Sequence, residues 1–96
     1  MNKDIATYNA SQSDRDRPIC EALADSIARA LPDAEGKVWH GHPVWFLNRN
    51  PIVGTSTHRD GTRLLFWSGQ SFDEPQLSPV GKFKAAEARF SSLDDI

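Results

Sequence analysis

Residues 52–67 read IVGTSTHRDGTRLLFW, and this stretch predicts two antiparallel strands joined by a tight turn. Its first half, 52–58, is rich in β-branched residues, which suit the pleated surface of a strand. Asp60-Gly61 is typical of a two-residue hairpin turn, because such turns need positive φ angles that glycine adopts easily. The run Leu64-Leu65-Phe66-Trp67 is apolar at every position, as in a strand covered on both faces. We therefore predict that the strand at 63–67 lies in the centre of a sheet.

The segment 38–46, VWHGHPVWF, predicts a third strand of the same sheet. Its β-branched and aromatic residues recur with a period of two. Gly41 and Pro43 interrupt it, and Pro43 indicates an edge position or a bulge because proline has no N–H for the ladder. Together with 52–58 and 63–67, this strand forms a predicted antiparallel meander.

An amphipathic helix over roughly 17–31 is predicted to cover one face of that sheet. Its apolar stripe consists of Ile19, Leu23, Ile27 and Ala30 at helical spacing. Asp14 or Asp16 is a candidate N-cap, and Pro18 suits the first turn. Pro32 ends the helix, since the residue before a proline is pushed toward extended geometry.

The remaining segments complete a predicted α+β domain. Residues 1–16 are polar and aperiodic, and we expect them to precede the domain proper, which spans 17–96. Residues 68–81 form a long connection rich in proline and glycine, and such connections often carry function. Residues 82–90 predict a short helical turn and then a strand. The predicted fold is thus an antiparallel sheet of about four strands packed against the N-terminal amphipathic helix.

Composition narrows the class of protein. The chain has 96 residues, and 39% of them are hydrophobic, which indicates one globular domain. The sequence contains no apolar run long enough to cross a bilayer. The N-terminus lacks the apolar stretch of a signal peptide, and Cys20 is the single cysteine, so we expect a cytoplasmic protein. Net charge is −3 over residues 1–36, +3 over 37–90 and −2 in the tail. The positive charge is too dispersed to form the basic stripe that a nucleic-acid-binding protein presents.

The histidines raise the question of a metal site. His40 and His42 are two residues apart, so on a regular strand their side chains share one side. His58, at the end of the next strand, is a candidate third ligand if the register brings it near. The alternative is that these histidines are half-exposed sheet residues that bond to nearby polar groups.

The aromatic residues raise the question of a pocket. Six of the large rings are Trp39, Trp45, Trp67, Phe46, Phe66 and Phe72. One interpretation is that they fill the core of a small domain. The other is that one or two remain accessible beside His42 and the 68–81 connection, where they stack on a planar or apolar ligand. Arg63 and Arg89 are either solvated surface residues or a source of charge for an anion.

A family resemblance covers residues 17–96. The residues that carry it are Pro43, Trp45, Phe46, Ile52-Val53-Gly54, Leu64-Leu65-Phe66-Trp67, Gly81-Lys82, Arg89 and Leu93-Asp94-Asp95-Ile96. This pattern resembles the YdhG-like family, catalogued as domain of unknown function 1801. The resemblance implies an antiparallel sheet flanked by helices. One bacterial branch of that family is a proposed frataxin-like iron chaperone, which makes intracellular iron handling an alternative function.

The resemblance also bears on assembly. The family's C-terminal helix begins where this chain stops at Ile96, so we expect a domain without that helix and a partly bare sheet face. A homodimer is one way to cover such a face.

The predicted function is therefore binding rather than catalysis, with a small molecule or a protein as partner and no cofactor. Ser68-Gly69-Gln70-Ser71 lacks the leading glycine of a nucleophile elbow, and no glycine-rich phosphate loop is present. The candidate ligand-binding residues are His42, Pro43, Trp45, Trp67, Phe72 and Lys82. The candidate metal ligands are His40, His42 and His58.

Overall fold

The computed structural model describes residues 3–69, 77–80 and 84–92, which form two helices and a six-stranded antiparallel sheet. The elements are α1 (Lys3–Ala10), α2 (Asp16–Ala30), β1 (Glu35–Trp39), β2 (His42–Leu47), β3 (Asn50–His58), β4 (Gly61–Phe66), β5 (Ser78–Pro79) and β6 (Ala86–Phe90). The strand order is β1-β2-β3-β4-β6-β5. The predicted α+β class, the α2 helix and the central position of β4 are confirmed. The sheet has six strands in the described residues instead of about four.

The first additional strand arises because 38–46 is not one strand. His40 and Gly41 have φ angles of 52° and 81°, so the chain turns back there and β1 pairs with β2 in a hairpin. Trp39 lies directly opposite His42. The prediction of a single interrupted strand was wrong because Gly41 closes a two-residue turn.

Pro43 therefore lies on an interior strand, since β2 runs between β1 and β3 and the edge strand is β1. The β2–β3 ladder begins with Val44 opposite Gly54, one residue after Pro43. The missing N–H thus costs no bond in that ladder. The bulge of β2 is at Trp45/Phe46 and not at Pro43.

The described part of the predicted polar segment 1–16, residues 3–16, is more ordered than its composition suggests. Residues 3–10 form α1, and Ile5 is completely buried against the core. The side chain of Thr57 on β3 donates to Gln12 at 2.9 Å and lies 3.4 Å from the Tyr8 hydroxyl. A helix held by one apolar residue leaves too weak a period to recognise in the sequence.

Strand alternation divides the sheet into two faces. One face packs against the helices in two clusters, the first of Ile5, Ala24, Ile27, Trp45 and Val53 and the second of Ile19, Leu23, Ala88 and Phe90. Leu64 and Phe66 of β4 join this side. Leu65 and Trp67 point the other way, toward a face on which the described residues place no helix. We call it the open face. The apolar run of β4 predicted a strand covered on both faces; the described residues place helices on one face of β4, as predicted, and none on the other.

A buried carboxylate ties the start of α2 to the β3–β4 turn. Asp16 is 5% exposed and accepts hydrogen bonds from Arg15 Nε at 3.1 Å and Thr62 Oγ1 at 3.3 Å. Arg15 also donates to the carbonyl oxygens of His58 and Arg59. Neither predicted aspartate caps the helix; the Asp16 N–H donates to Ser13 Oγ instead, at 3.1 Å.

The buried carboxylate predicts a pH-dependent contribution to stability. Burial acts to raise the pKa of Asp16, but the hydrogen bonds from Arg15, Ser13 and Thr62 outweigh it and hold this pKa below its ordinary value of 3.8. The contribution is therefore complete above the unfolded-state pKa and is lost as the pH falls through the folded-state pKa. Asp16→Asn should lower the free energy of unfolding at pH 7 by about 1–3 kcal/mol.

Urea denaturation of wild type and Asp16→Asn at pH 7 and at about pH 3 measures this effect. The difference between the two proteins should shrink at the acidic pH. Asp25→Asn, on an exposed part of α2, is the control and should change little at either pH. If the free energies of unfolding of wild type and Asp16→Asn differ by the same amount at both pH values, the stabilising role given to the ionised Asp16 carboxylate is contradicted.

The β3–β4 turn supplies a second test. Its two turn residues are Arg59 and Asp60, and Gly61 follows as the partner of His58, one residue from the predicted position. Gly61 has a φ of 140°, and a Cβ there would meet the carbonyl oxygen of Phe90. Gly41 also has a positive φ, but a Cβ there would meet nothing within 4 Å.

Gly61→Ala should therefore destabilise the protein more than Gly41→Ala. We expect about 1 kcal/mol for Gly41→Ala, the cost of a left-handed conformation alone, and about 2 kcal/mol or more for Gly61→Ala. Thermal unfolding of the two variants measures the difference. Equal melting temperatures would mean that contact with Phe90 does not constrain position 61.

Candidate functional site

A half-open cleft of about 220 Å³ lies on the open face of the sheet. Its walls are mostly apolar and come from β1, β2, β3, β4 and the residue after β4. The lining residues are Trp39, His40, His42, Pro43, Val44, Gly54, Thr55, Ser56, Leu65 and Trp67. A concave apolar surface with a few polar groups at its border is typical of a small-molecule site.

Two tryptophans in contact with each other line this cleft. The ring centroids of Trp39 and Trp67 are 6.4 Å apart and their planes meet at 43°. Trp39 also makes an edge contact with Phe46 at 5.4 Å and lies 4.3 Å from the ring of His40. These contacts orient the Trp39 ring while 38% of the residue stays exposed. The V-shaped pair can therefore present one ring face and one ring edge to a planar molecule.

The floor of the cleft depends on Gly54. It lies opposite Val44 on β2 and Leu65 on β4. A Cβ at this position would lie 2.9 Å from the carbonyl oxygen of Pro43 and 3.3 Å from Trp67 Cζ3. The Trp67 ring thus occupies the space that a larger residue on β3 would fill.

The polar border of the cleft follows from the same register. Ser56 lies two residues after Gly54 on the same face, and its Oγ is 2.8 Å from His58 Nε2. Ser56 is the partner of Arg63 across β3 and β4, and Arg63 is the partner of Arg89 across β4 and β6. The Ser56 hydroxyl therefore lies at one end of an apolar cleft, with the His58 imidazole and the cross-strand neighbour Arg63 beyond it.

A buried carboxylate sits among these cations. Glu87 is 7% exposed, and its Oε2 lies 3.4 Å from Arg63 Nε and 3.7 Å from Arg89 Nε. The Nη2 atom of Arg63 also lies 3.7 Å from Asp60 Oδ1. These separations are ion pairs, and the buried Arg63 Nε has no hydrogen-bond partner in the described part of the chain.

The three histidines do not form the predicted metal site. His40 occupies the β1–β2 turn, His42 begins β2 and borders the cleft, and His58 ends β3 beside Ser56. Residues 3–69, 77–80 and 84–92 contain no group of three histidine, cysteine, aspartate or glutamate side chains placed to hold a metal ion. The predicted sharing of one strand side by His40 and His42 fails because His40 is in a turn.

The predicted ligand-binding residues are only partly brought together. His42, Pro43 and Trp67 line the cleft. Trp45 does not, because it faces Gly36 and Val53 on the helix side and is 5% exposed within the core. Phe72 and Lys82 lie outside the described residues.

Several cleft residues were not predicted as ligand contacts, notably Trp39, Gly54, Ser56 and Leu65. The signal that would have found them is the hairpin turn at His40-Gly41, which places Trp39 beside His42. Once that register is known, alternation along β3 and β4 assigns Gly54, Ser56 and Leu65 to the same face.

No protein-family model, curated protein or solved structure matches this chain. None of the helices in the described residues is long and apolar enough to span a membrane. The resemblance to the YdhG-like family therefore stays a prediction from the sequence.

Two glycines on opposite faces allow a matched test of the cleft. Gly54→Ala should displace the Trp67 ring, whereas Gly36→Ala should disturb Trp45, whose Nε1 lies 2.8 Å from the position of the added Cβ. The three tryptophans give three indole N–H signals in a ¹H–¹⁵N spectrum, which single tryptophan variants assign. We expect Gly54→Ala to shift the Trp67 signal most and Gly36→Ala the Trp45 signal most. The reverse pattern would contradict the assignment of faces.

Proposed function

We propose that this domain binds a small planar, largely apolar molecule in the cleft lined by Trp39 and Trp67. The observation that carries this proposal is the pair of tilted tryptophan rings on the open face, one of which remains 38% exposed while edge contacts orient it. An exposed aromatic ring held in place loses little conformational freedom when a ligand stacks on it.

The size of the cleft supports a small ligand. A volume of about 220 Å³ lies below the range of roughly 300–1,000 Å³ that is usual for drug-sized ligands. One or two fused rings fit that space. Val44 and Leu65 supply apolar contacts to the ring plane, while Ser56 and His42 supply polar contacts at one border.

The sequence also raised a protein partner and iron handling as alternatives. A protein that inserts one aromatic side chain would use the same cleft, and it is an outcome that the experiment below separates. Iron handling rests on the resemblance to the YdhG-like family alone, and no contact among the described residues favours it.

The test uses the neutral probe 2-naphthamide and ¹⁵N-labelled protein. We expect the indole N–H signals of Trp39 and Trp67 to shift progressively, with a dissociation constant of about 1 mM or tighter for a ligand of this size. The Trp45 signal is an internal control, because this ring is buried on the other face of the sheet.

Trp39→Ala should weaken binding about tenfold or more through the loss of one stacking surface. Val80→Ala is the matched control, since Val80 is 36% exposed but does not line the cleft. If 2-naphthamide leaves Trp39 and Trp67 unchanged while a peptide carrying a tryptophan shifts them, the partner is a protein. No shift with either probe would overturn the cleft as a binding site.

A further inference from the structure

We infer that the ligand of this cleft is an aromatic carboxylate, whose ring rests against Trp39 and Trp67 and whose carboxylate is held by Ser56 and Arg63. This inference rests on the proposed function and specifies the chemical class of its ligand.

The register places a row of polar donors across the open face at one end of the cleft. Trp39 is opposite His42, Ser56 is opposite Arg63, and Arg63 is opposite Arg89. Neighbouring strands are about 4.8 Å apart, so Arg63 begins one strand spacing from Ser56, which lines the cleft. It is also two residues from Leu65 on the same strand and face. The Arg63 side chain therefore starts beside this end of the cleft, next to the lining residues Ser56 and Leu65, although Arg63 is not itself a lining residue.

The guanidinium of Arg63 is oriented but not fully bonded. Its Nε is buried and has no hydrogen-bond partner in the described part of the chain, although Glu87 Oε2 lies 3.4 Å away. Glu87 Oε2 is itself without a hydrogen bond there. One buried carboxylate oxygen thus faces two guanidinium groups, Arg63 and Arg89, and aligns Arg63 without using its terminal N–H groups.

The hydrogen-bonding capacity of this border favours an anion over a cation. Arg63 and Arg89 carry two positive charges against Glu87 and Asp60, and Arg89 and Asp60 are both exposed, at 60% and 57%. Solvent screens those two outer groups strongly, so recognition depends on the N–H groups of Arg63 more than on net charge. A planar carboxylate matches the fork of the guanidinium and can accept two parallel hydrogen bonds from it.

Ser56 supplies a further donor. Its Oγ is 2.8 Å from His58 Nε2. In the tautomer with the proton on Nε2, His58 donates to Ser56 and leaves the serine hydroxyl proton for the ligand. The carboxylate then receives bonds from a hydroxyl on β3 and a guanidinium on β4, while its ring contacts the exposed surfaces of Trp39 and Trp67.

The experiment compares 2-naphthoate with its neutral isostere 2-naphthamide, followed by the indole signals of Trp39 and Trp67. Wild type should bind the carboxylate about tenfold more tightly than the amide, as expected for hydrogen bonds to a charged group. Arg63→Gln should reduce this ratio to about one without weakening the amide more than about twofold. Ser56→Ala should reduce the ratio partially. Arg29→Gln, which removes the same charge from the end of α2, should leave the ratio unchanged.

Loss of Arg63 leaves Glu87 with a weaker partner, so the double variant Arg63→Gln/Glu87→Gln tests the same point in a protein without a buried unpaired charge. Its carboxylate-to-amide ratio should also be about one. Equal affinities in wild type, or a tenfold preference that persists in the double variant, would overturn this inference while the cleft remains a binding site. If neither naphthyl probe shifts Trp39 or Trp67, the proposed function fails as well.

Discussion

The two-residue turn at His40-Gly41 determines which tryptophan is buried and which is available to a ligand. Because side chains alternate along a strand, the pairing of Trp39 with His42 places both on the open face and leaves Trp45 on the helix face. A slip of one residue would exchange these faces and expose Trp45 to solvent. Burying Trp45 with Ile5 and Val53 therefore stabilises the same register that forms the cleft.

The sheet accommodates a tryptophan on each face by placing a glycine on the neighbouring strand. Gly36 leaves space for the Trp45 indole in the core, and Gly54 leaves space for Trp67 on the open face. Both glycines lack a side chain that would stabilise their own strands, which is an unfavourable choice for strand propensity alone. The large contact area of each indole offsets that loss. Core packing and cleft formation thus use the same device on opposite sides of one sheet.

The sequence allowed the α+β class, the α2 helix and the interior strand β4 to be predicted, because each has a clear apolar period or an uninterrupted apolar run. It did not allow α1 to be predicted, since Ile5 is the one buried apolar residue of that helix and its other buried residue, Asn9, is polar. The histidines were misplaced for a similar reason: a positive φ at His40 is uncommon for a residue other than glycine, and it turned a predicted strand into a hairpin. Among the predicted site residues, Trp45 was wrong because a buried ring and a ligand-binding ring look alike until the register is known.

The polar end of the cleft is explained by how the sheet buries charge. Glu87 lies opposite Leu65 on the open face and is 7% exposed, so its carboxylate requires cationic neighbours. Arg63 and Arg89 meet this need from the adjacent row, and the resulting ion pairs hold the Arg63 side chain toward the sheet instead of toward solvent. A guanidinium restrained in this way loses less conformational freedom on binding an anion than a free surface arginine would. The same interactions that make a buried acid tolerable therefore also prepare the donor beside the aromatic cleft.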